Sequence, residues 1–399
     1  MKKAKVLAVC GSLVTILLVG LLVPRPSVSQ TGTSVLHLYN LNAFTGPSAP
    51  YGLRGAHGAA VAAKQINDAG GFKDTKGNKH TIKLTDFDVD DSKDQGVAGL
   101  RRAADDPTVL AVIGPSPSTV FLGLLPAVGQ LKMPIVSFSL SPVKPETWNG
   151  YAFRAGPTHV GGTPKLIEVV TKQLKLTRIA LLSDITNDFQ QAEAVQWRRP
   201  ELQRQYGYTI VADESFRAND MDYRPQLTKI QQANPQAIEV NGTLQEAVKI
   251  ANQMAEMGLA GKVQLLGSAF NDTKAWQLTE GKIRGSIGWQ GAGTLGGSDP
   301  EIQKFIADYA KMYPNESPTS FSTVGYQSMM AIVDAVKRAG TVTDREKFRD
   351  AMAKTSIASL GGKITWDNPR DKPMGDNLSP TIQVFRVTGS GTVEDITMK

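Results

Sequence analysis

The alternation of short β-branched runs with helical stretches constrains the fold of this chain more than any other feature. The runs that predict strands are Val35–Tyr39, Ile82–Phe87, Val109–Gly114, Ile135–Phe138, Ile179–Ser183, Thr209–Asp213, Ala237–Asn241, Val263–Gly267 and Ile283–Trp289. The stretches that predict helices are Gly52–Ala69, Gln95–Ala104, Thr119–Leu131, Gln190–Gln205, Gln245–Met257, Pro300–Tyr313 and Tyr326–Ala339. Strands and helices that alternate at this spacing form parallel sheets with helices on both faces. The pattern therefore predicts an α/β fold with doubly wound sheets.

The first 29 residues have the order of a secretory signal. Lysines at positions 2, 3 and 5 precede an apolar run from Val6 to Val23, and small residues lead to a cleavage site after Ser29. We therefore expect residues 1–29 to be a signal peptide and the rest of the chain to be periplasmic or otherwise extracytoplasmic. The apolar run has 18 residues, which is at the lower limit for a membrane span, so an uncleaved N-terminal anchor stays open.

The composition of the remaining chain favours a large protein with two lobes. About 370 residues follow the signal, which exceeds the roughly 250 to 300 residues that a single hydrophobic core organises. The only cysteine, Cys10, lies in the signal, so the exported part has no disulfide and depends on its buried core. The formal net charge is +7, and residues 1–29 carry four basic residues and no acidic one, which leaves +3. This small excess does not indicate a nucleic-acid partner.

Hydroxyl side chains follow two neighbouring strands of the predicted first sheet. Ser118 and Thr119 come after one strand, where a helix begins, and Ser139 and Ser141 come after the next strand. In open parallel sheets the ligand binds beyond the carboxyl ends of the strands. The unpaired backbone N–H groups at a helix N-terminus attract a carboxylate. One such segment is usually an ordinary helix cap, but two at neighbouring strand ends form one concavity, which predicts a site for a small carboxylate.

Several longer segments carry a resemblance that spans residues 35–396. They are Phe44–Gly52, Ala63–Gly71, Asp86–Asp91, Val112–Gly114, Tyr151–Arg154, Asp222–Tyr223 and Lys363–Asp367. In their order and spacing they resemble the type I periplasmic binding proteins, in particular the leucine/isoleucine/valine-binding receptors of ABC importers. The resemblance implies two Rossmann-like lobes joined by a hinge of three crossing strands, with the ligand between them. We expect residues 34–153 plus 290–354 to form the first lobe and residues 154–289 plus 355–399 to form the second.

The resemblance also implies which side chains contact the ligand. Ser118 and Ser141 lie where the family offers hydroxyls to the ligand carboxylate, and Ser139 lies where a backbone carbonyl meets the ligand ammonium. Tyr51 occupies the position of an aromatic side chain that covers the ligand from the first lobe. Phe189 falls where the second lobe often presents a tyrosine.

The second lobe departs from the family at two positions. Thr243 stands where the branched-chain receptors usually have an aromatic residue, and Ala269 stands where they have the acid that pairs with the ligand ammonium. An ammonium left unpaired in a closed cleft costs about 2–5 kcal/mol, which is a large part of the roughly 8 kcal/mol of micromolar binding. Either Asp272 takes that role, or the ligand has no α-ammonium. Asp272 also fits a helix cap, and Phe321 matches a pocket aromatic.

The sequence therefore predicts a non-enzymatic solute-binding protein that closes around an amino acid, an amide or a related small carboxylate. Its partners would be the ligand and the membrane subunits of an ABC importer. The four histidines lack the spacing of a metal motif, so no metal and no cofactor is predicted. A ligand-binding sensory receptor that signals to a membrane partner remains an alternative. An exported α/β hydrolase is disfavoured because no G-x-S-x-G elbow occurs and no nucleophile, base and orienting acid can be placed together.

Overall fold

The computed structural model describes residues 33–141, 149–291, 300–360, 362–366, 375–377 and 380–398. The predicted signal peptide, residues 1–29, lies outside these described residues. Within the described ranges, no helix has both the length and the apolar character that a membrane span requires. Two sheets of mostly parallel strands, each flanked by helices, confirm the predicted α/β fold.

The first sheet carries the hydroxyl-rich loops singled out above. Its described strands are β1 (Ser34–Asn42), β2 (Phe72–Lys73), β3 (Lys79–Asp88), β4 (Val109–Ile113), β5 (Ile135–Ser137) and β6 (Ala152–Arg154). They lie in the order β2-β3-β1-β4-β5-β6, and each pair is parallel except the hairpin β2-β3. The flanking helices are α1 (Ala49–Asp68), α2 (Lys93–Asp105), α3 (Ser118–Leu131), α10 (Pro300–Met312), α11 (Ser320–Ala339) and α12 (Arg345–Met352).

The second sheet is larger and has an antiparallel edge. Its described strands are β7 (Arg178–Asp184), β8 (Thr209–Phe216), β9 (Ala237–Asn241), β10 (Gln264–Leu266), β11 (Ile287–Gly291), β14 (Ile382–Gly389) and β15 (Thr392–Asp395). They lie in the order β15-β14-β11-β10-β9-β7-β8, with β14 and β15 antiparallel to their neighbours. The flanking helices are α4 (His159–Glu168), α5 (Asp188–Arg198), α6 (Pro200–Tyr206), α7 (Arg224–Gln232), α8 (Leu244–Glu256) and α9 (Thr273–Leu278). A π-helical turn (Val169–Gln173) extends α4, and a 3-10 turn (Ser268–Asn271) precedes α9.

Strand β1 shows why helices cover both faces of the first sheet. Leu36 and Leu38 belong to the core under α1 and α11, whereas Tyr39 and Leu41 belong to the core under α2 and α3. Successive side chains of a strand point to opposite faces of the sheet. A strand with apolar residues at both even and odd positions therefore needs helices packed on both faces. The apolar run Val35–Tyr39 therefore belongs to a central strand.

Helices α1 and α11 are held together by glycines at their crossing. A Cβ atom at Gly58 would lie 1.8 Å from the carbonyl oxygen of Ser322, and one at Gly325 would lie 1.9 Å from the carbonyl oxygen of Gly55. Only glycine allows two backbones to approach this closely. The contact fixes the first turns of both helices, which carry Tyr51 and Phe321 toward the cleft.

The chain passes between the two sheets three times over the described residues. It leaves β6 for β7, returns from β11 to α10, and leaves again between Trp366 and β14. The two-stranded sheet of β12 (Ser356–Ser359) and β13 (Gly362–Thr365) precedes the last passage. Leu360, Ile364 and Trp366 pack in the core of the first sheet, although the predicted division assigns residues 355–399 to the second lobe. The other lobe boundaries stay predictions.

Three predicted elements differ from the structure. The predicted helix Gln190–Gln205 is two helices, because Arg199 is extended and Pro200 begins a new helix. The predicted strand Ile283–Trp289 begins only at Ile287. Helix α11 begins at Ser320, six residues before the predicted start, after the N-cap residue Thr319. The early start places Phe321 on the first turn of a helix instead of in a loop.

Candidate functional site

Two cavities lie at the carboxyl ends of the strands, where loops of the two lobes meet. The serine compartment is lined, among others, by Ser116, Ser118, Thr119, Asp184, Asn187 and Thr243. The glutamate compartment is lined, among others, by Arg54, His159, Glu193, Glu239, Asp272 and Trp289. Each compartment has about 790 Å³ of empty space, a figure that includes space open to solvent.

Three aromatic side chains line both compartments and therefore lie between them. Tyr51 comes from α1, Phe321 from α11, and Phe189 from α5 of the second lobe. The ring centroid of Tyr51 lies 5.0 Å from that of Phe321 and 6.3 Å from that of Phe189. Burial, with the nearby carboxylates of Asp272 and Glu246, raises the pKa of the Tyr51 phenol, so this group is a neutral hydrogen-bond donor.

The hydroxyl of Ser118 lines the serine compartment at the start of a helix, and the buried hydroxyl of Ser139 lies behind it. Ser118 is the first residue of α3, and the hydroxyl of Ser139 donates to the Ser118 hydroxyl oxygen over 3.0 Å. Behind them, the Ser137 hydroxyl donates to the Pro115 carbonyl and accepts from the Ser139 amide, which joins the two loops. The amides of the first helical turn have no acceptor within the helix. This arrangement suits one carboxylate.

Each carboxylate that lines the serine compartment has a structural partner, although no hydrogen bond from the described residues reaches the Oδ2 atom of Asp184. Each accepts a hydrogen bond of 2.7 Å from a backbone amide: Asp91 from Ser48, Asp184 from Thr186, and Glu246 from Thr243. The Thr243 hydroxyl also contacts Glu246 at 2.7 Å and caps α8. Thr243 thus lines the compartment, as expected, while its hydroxyl belongs to a helix cap.

Ser141 does not join the hydroxyl pair. It is 1% exposed and lines neither compartment. Its carbonyl oxygen accepts a hydrogen bond from the guanidinium of Arg154, which pairs with Asp376 near the last passage between the lobes. The structure brings the Ser118 hydroxyl into contact with the Ser139 hydroxyl, and the predicted role of the Ser141 hydroxyl in carboxylate binding stays a prediction.

Asp272 forms the helix cap that the sequence allowed, and its pairing with a ligand ammonium stays a prediction. It caps α9 by accepting from the Lys274 amide over 2.6 Å, and it lines the glutamate compartment. Its other carboxylate oxygen lies 3.7 Å from the guanidinium of Arg54, which also pairs with Glu316 at 2.9 Å. Because Arg54 is in α1 and Asp272 is in the second lobe, the ion pair spans the cleft.

The sequence analysis missed a buried polar cluster in the glutamate compartment. The Glu193 carboxylate contacts Nδ1 of His159, accepts from the Thr163 hydroxyl over 2.9 Å, and accepts from the indole N–H of Trp289 over 3.0 Å. Its neighbour Glu239 is 1% exposed, and no hydrogen bond reaches its Oε2 atom from the described residues. Burial and the negative charge of Glu193 raise the pKa of Glu239 well above its ordinary value.

One signal could have revealed this cluster. Glu239 interrupts the otherwise uncharged strand Ala237–Asn241, and a charged residue inside a buried parallel strand is rare without a partner. The neighbouring acid, Glu193, is 46 positions away in the sequence, so spacing alone could not identify the pair.

The chain is similar in sequence to a known family over most of its length. The family model that matches residues 40–391 is described as "Periplasmic binding protein". The Leu/Ile/Val-binding protein homolog 1 of Brucella abortus is 26% identical over 337 residues, which cover 82% of this chain and 85% of the relative. The "Amino acid binding protein" of Pseudomonas aeruginosa is 24% identical over 341 residues, covering 83% of this chain and 86% of that protein.

Solved structures share the fold. The branched-chain amino acid transporter substrate binding protein LivJ of Streptococcus pneumoniae, in complex with isoleucine, superposes with a TM-score of 0.77 at 23% identity, covering 92% of this chain and 100% of that one. A solute binding protein of an ABC transporter from R. palustris, in complex with benzoate, gives a TM-score of 0.75 at 16% identity, covering 91% and 96%.

Proposed function

Because the chain belongs to the periplasmic binding protein family, we propose that it is the extracytoplasmic solute-binding component of an ABC importer. The ligand is an amino acid, an amide or a related small carboxylate, held in the cleft between the lobes. The family consists of solute-binding proteins, so the chain is a binding protein and not an enzyme. The membrane subunits of the importer are the expected partners.

The hydroxyl pair at the start of α3 carries the proposal. Ser139 donates to Ser118, which leaves the hydroxyl hydrogen of Ser118 available to a ligand carboxylate beside the free amides of the first helical turn. Isoleucine and benzoate, the ligands of the two structural neighbours, both carry a carboxylate. A carboxylate is therefore the group that this end of the cleft is expected to bind.

Ligand binding is proposed to hold the two lobes closed. Ser118, supported by Ser139, binds the ligand from the first lobe, and Tyr51 and Phe321 cover it. Phe189, Thr243 and Asp272 complete the enclosure from the second lobe. Contacts with both lobes stabilise the closed form over the open one, and this difference is what an importer can recognise. The Ser141 hydroxyl, to which no hydrogen bond from the described residues leads, stays a proposed second hydroxyl for the ligand carboxylate.

The test is identification of the ligand that the protein retains. We would analyse the purified mature protein by native mass spectrometry and identify any small molecule that it releases. A thermal-shift screen of amino acids, amides and small carboxylates follows, because a ligand that binds only the folded form raises the apparent stability. Stabilisation by a carboxylate that contacts Ser118 supports the proposal. A screen in which no carboxylate binds, or turnover of ester or amide substrates, overturns it.

A further inference from the structure

We infer that the glutamate compartment binds a positively charged group of the ligand, such as an amine or a guanidinium, and that Glu239 is its counter-ion. The inference rests on the proposed function, because it assigns the part of the ligand that lies beyond the aromatic side chains of Tyr51, Phe189 and Phe321. The inference predicts a ligand whose side chain is positively charged, whereas the side chain of a branched-chain amino acid is uncharged.

The charges that line the glutamate compartment are unbalanced. Its acids are Glu193, Glu239 and Asp272. Arg54 pairs with Asp272 and with Glu316, so its positive charge balances those acids and does not balance Glu193 or Glu239. His159 contacts only Glu193 among the acids of the described residues. No ion pair with Glu239 occurs in the described part of the chain, so a ligand cation would provide the missing partner.

Glu239 is placed where an unpaired carboxyl group is costly. It lies on β9, between β10 and β7 in the middle of the second sheet, and it is 1% exposed. A buried polar atom without a partner destabilises a protein, and native structures rarely retain one without a functional reason. In the unliganded protein, burial and the nearby Glu193 raise the pKa of Glu239, which favours its protonated form. A bound cation would replace that proton.

The other walls of the compartment also suit a cation. The ring of His159 packs edge-on against Phe189, with centroids 4.7 Å apart, and against Trp289, with centroids 5.6 Å apart. Aromatic ring faces attract ammonium and guanidinium groups. An apolar ligand group would fill the same space but leave Glu239 buried without a partner. A neutral hydrogen-bonding group could accept from protonated Glu239, but it would release no proton.

Two pairs of probes separate these possibilities by calorimetry. L-lysine is compared with L-norleucine, which lacks the terminal amine, and L-arginine with L-citrulline, its uncharged counterpart. Because hydrogen bonds to charged groups are the strong ones, we expect the charged member of at least one pair to bind about tenfold tighter or more. Titrations in two buffers of different ionisation enthalpy should show release of about one proton for the charged probe and none for the neutral one.

The matched variants are Glu239→Gln and Glu280→Gln. Glu239→Gln keeps the shape of the side chain, so it should still bind the neutral probe while losing the preference for the charged probe and the proton release. Glu280 is 82% exposed, so Glu280→Gln should behave as the natural protein. Equal binding of both members of each pair, or an unchanged preference in Glu239→Gln, overturns the inference and leaves the proposed function intact. If none of the four probes binds, the inference also fails, while the wider carboxylate screen decides the proposed function.

Discussion

The hydroxyl of Ser139 donates a 3.0 Å hydrogen bond to the hydroxyl of Ser118 and thereby joins the loop after β5 to the first turn of α3. The contact links the carboxyl ends of two neighbouring parallel strands, the edge at which such sheets bind ligands. It orients the Ser118 hydroxyl so that its own hydrogen can point away from Ser139, toward the compartment that Ser118 lines.

Replacing Ser118 should weaken carboxylate binding without unfolding the protein. We expect Ser118→Ala to bind the retained carboxylate ligand roughly 10- to 100-fold more weakly, because a hydrogen bond to a charged group contributes about 1.5–3 kcal/mol. Titration calorimetry measures the change. The control is Ser356→Ala, which removes an exposed hydroxyl of β12 and should leave affinity unchanged. Equal affinities of the two variants would show that Ser118 does not contact the ligand.

The stacking of Tyr51 on Phe189 across the cleft should contribute to closure. We expect Phe189→Ala to reduce ligand affinity by roughly 10-fold, because it removes an aromatic contact and the apolar area that closure buries. Phe189→Tyr keeps the ring and should stay within about threefold of the natural protein. Calorimetry gives the affinities, and small-angle scattering compares the closure of both variants at saturating ligand. If Phe189→Ala binds as tightly as Phe189→Tyr, the aromatic contact has no part in closure.

The sequence predicts the scaffold of the site better than the site itself. Strand and helix periodicity identify β4, β5 and α3 within a few residues, so the meeting of their loops near Ser118 and Ser139 follows from the rules of parallel sheets. Ser141 is only two residues further, yet its position depends on Arg154 and Asp376. The contact of Arg154 with Asp376 joins segments 222 positions apart, which local patterns do not report.

The glutamate compartment shows a second limit of sequence reasoning. Periodicity assigns Ala237–Asn241 to a strand, but it does not show which helix covers the face that carries Glu239. The cluster forms because α5 brings Glu193, and α4 brings His159, to that face of the second sheet. Which side chains meet across two elements depends on how those elements pack. The arrangement of charges in the cleft therefore cannot be read from the sequence before the tertiary structure is known.

The glycine contact between α1 and α11 should be intolerant of a methyl group. A Cβ at Gly58 would lie 1.8 Å from a backbone carbonyl oxygen, so relief requires the helices to separate. We expect Gly58→Ala to lower the free energy of unfolding by about 3 kcal/mol, despite the higher helix propensity of alanine. Urea denaturation measures it. The control is Gly161→Ala in α4, whose added methyl would meet only the end of a flexible side chain at 3.3 Å and should not destabilise the protein. Equal stability of the two variants would contradict the close packing of α1 on α11.

Glu239 should make the stability of the unliganded protein fall as the pH rises. Burial and the charge of Glu193 raise the pKa of Glu239 in the folded protein above its ordinary value of 4.5. Between the two pKa values the folded state binds a proton that the unfolded state has lost, so the free energy of unfolding decreases with pH. Glu239→Gln removes this dependence. We therefore expect the variant to gain stability relative to the natural protein as the pH rises above about 4.5, measured by urea denaturation without ligand, while Glu280→Gln shows no such gain. Parallel pH profiles of the Glu239→Gln variant and the natural protein would mean that Glu239 is ionised when folded.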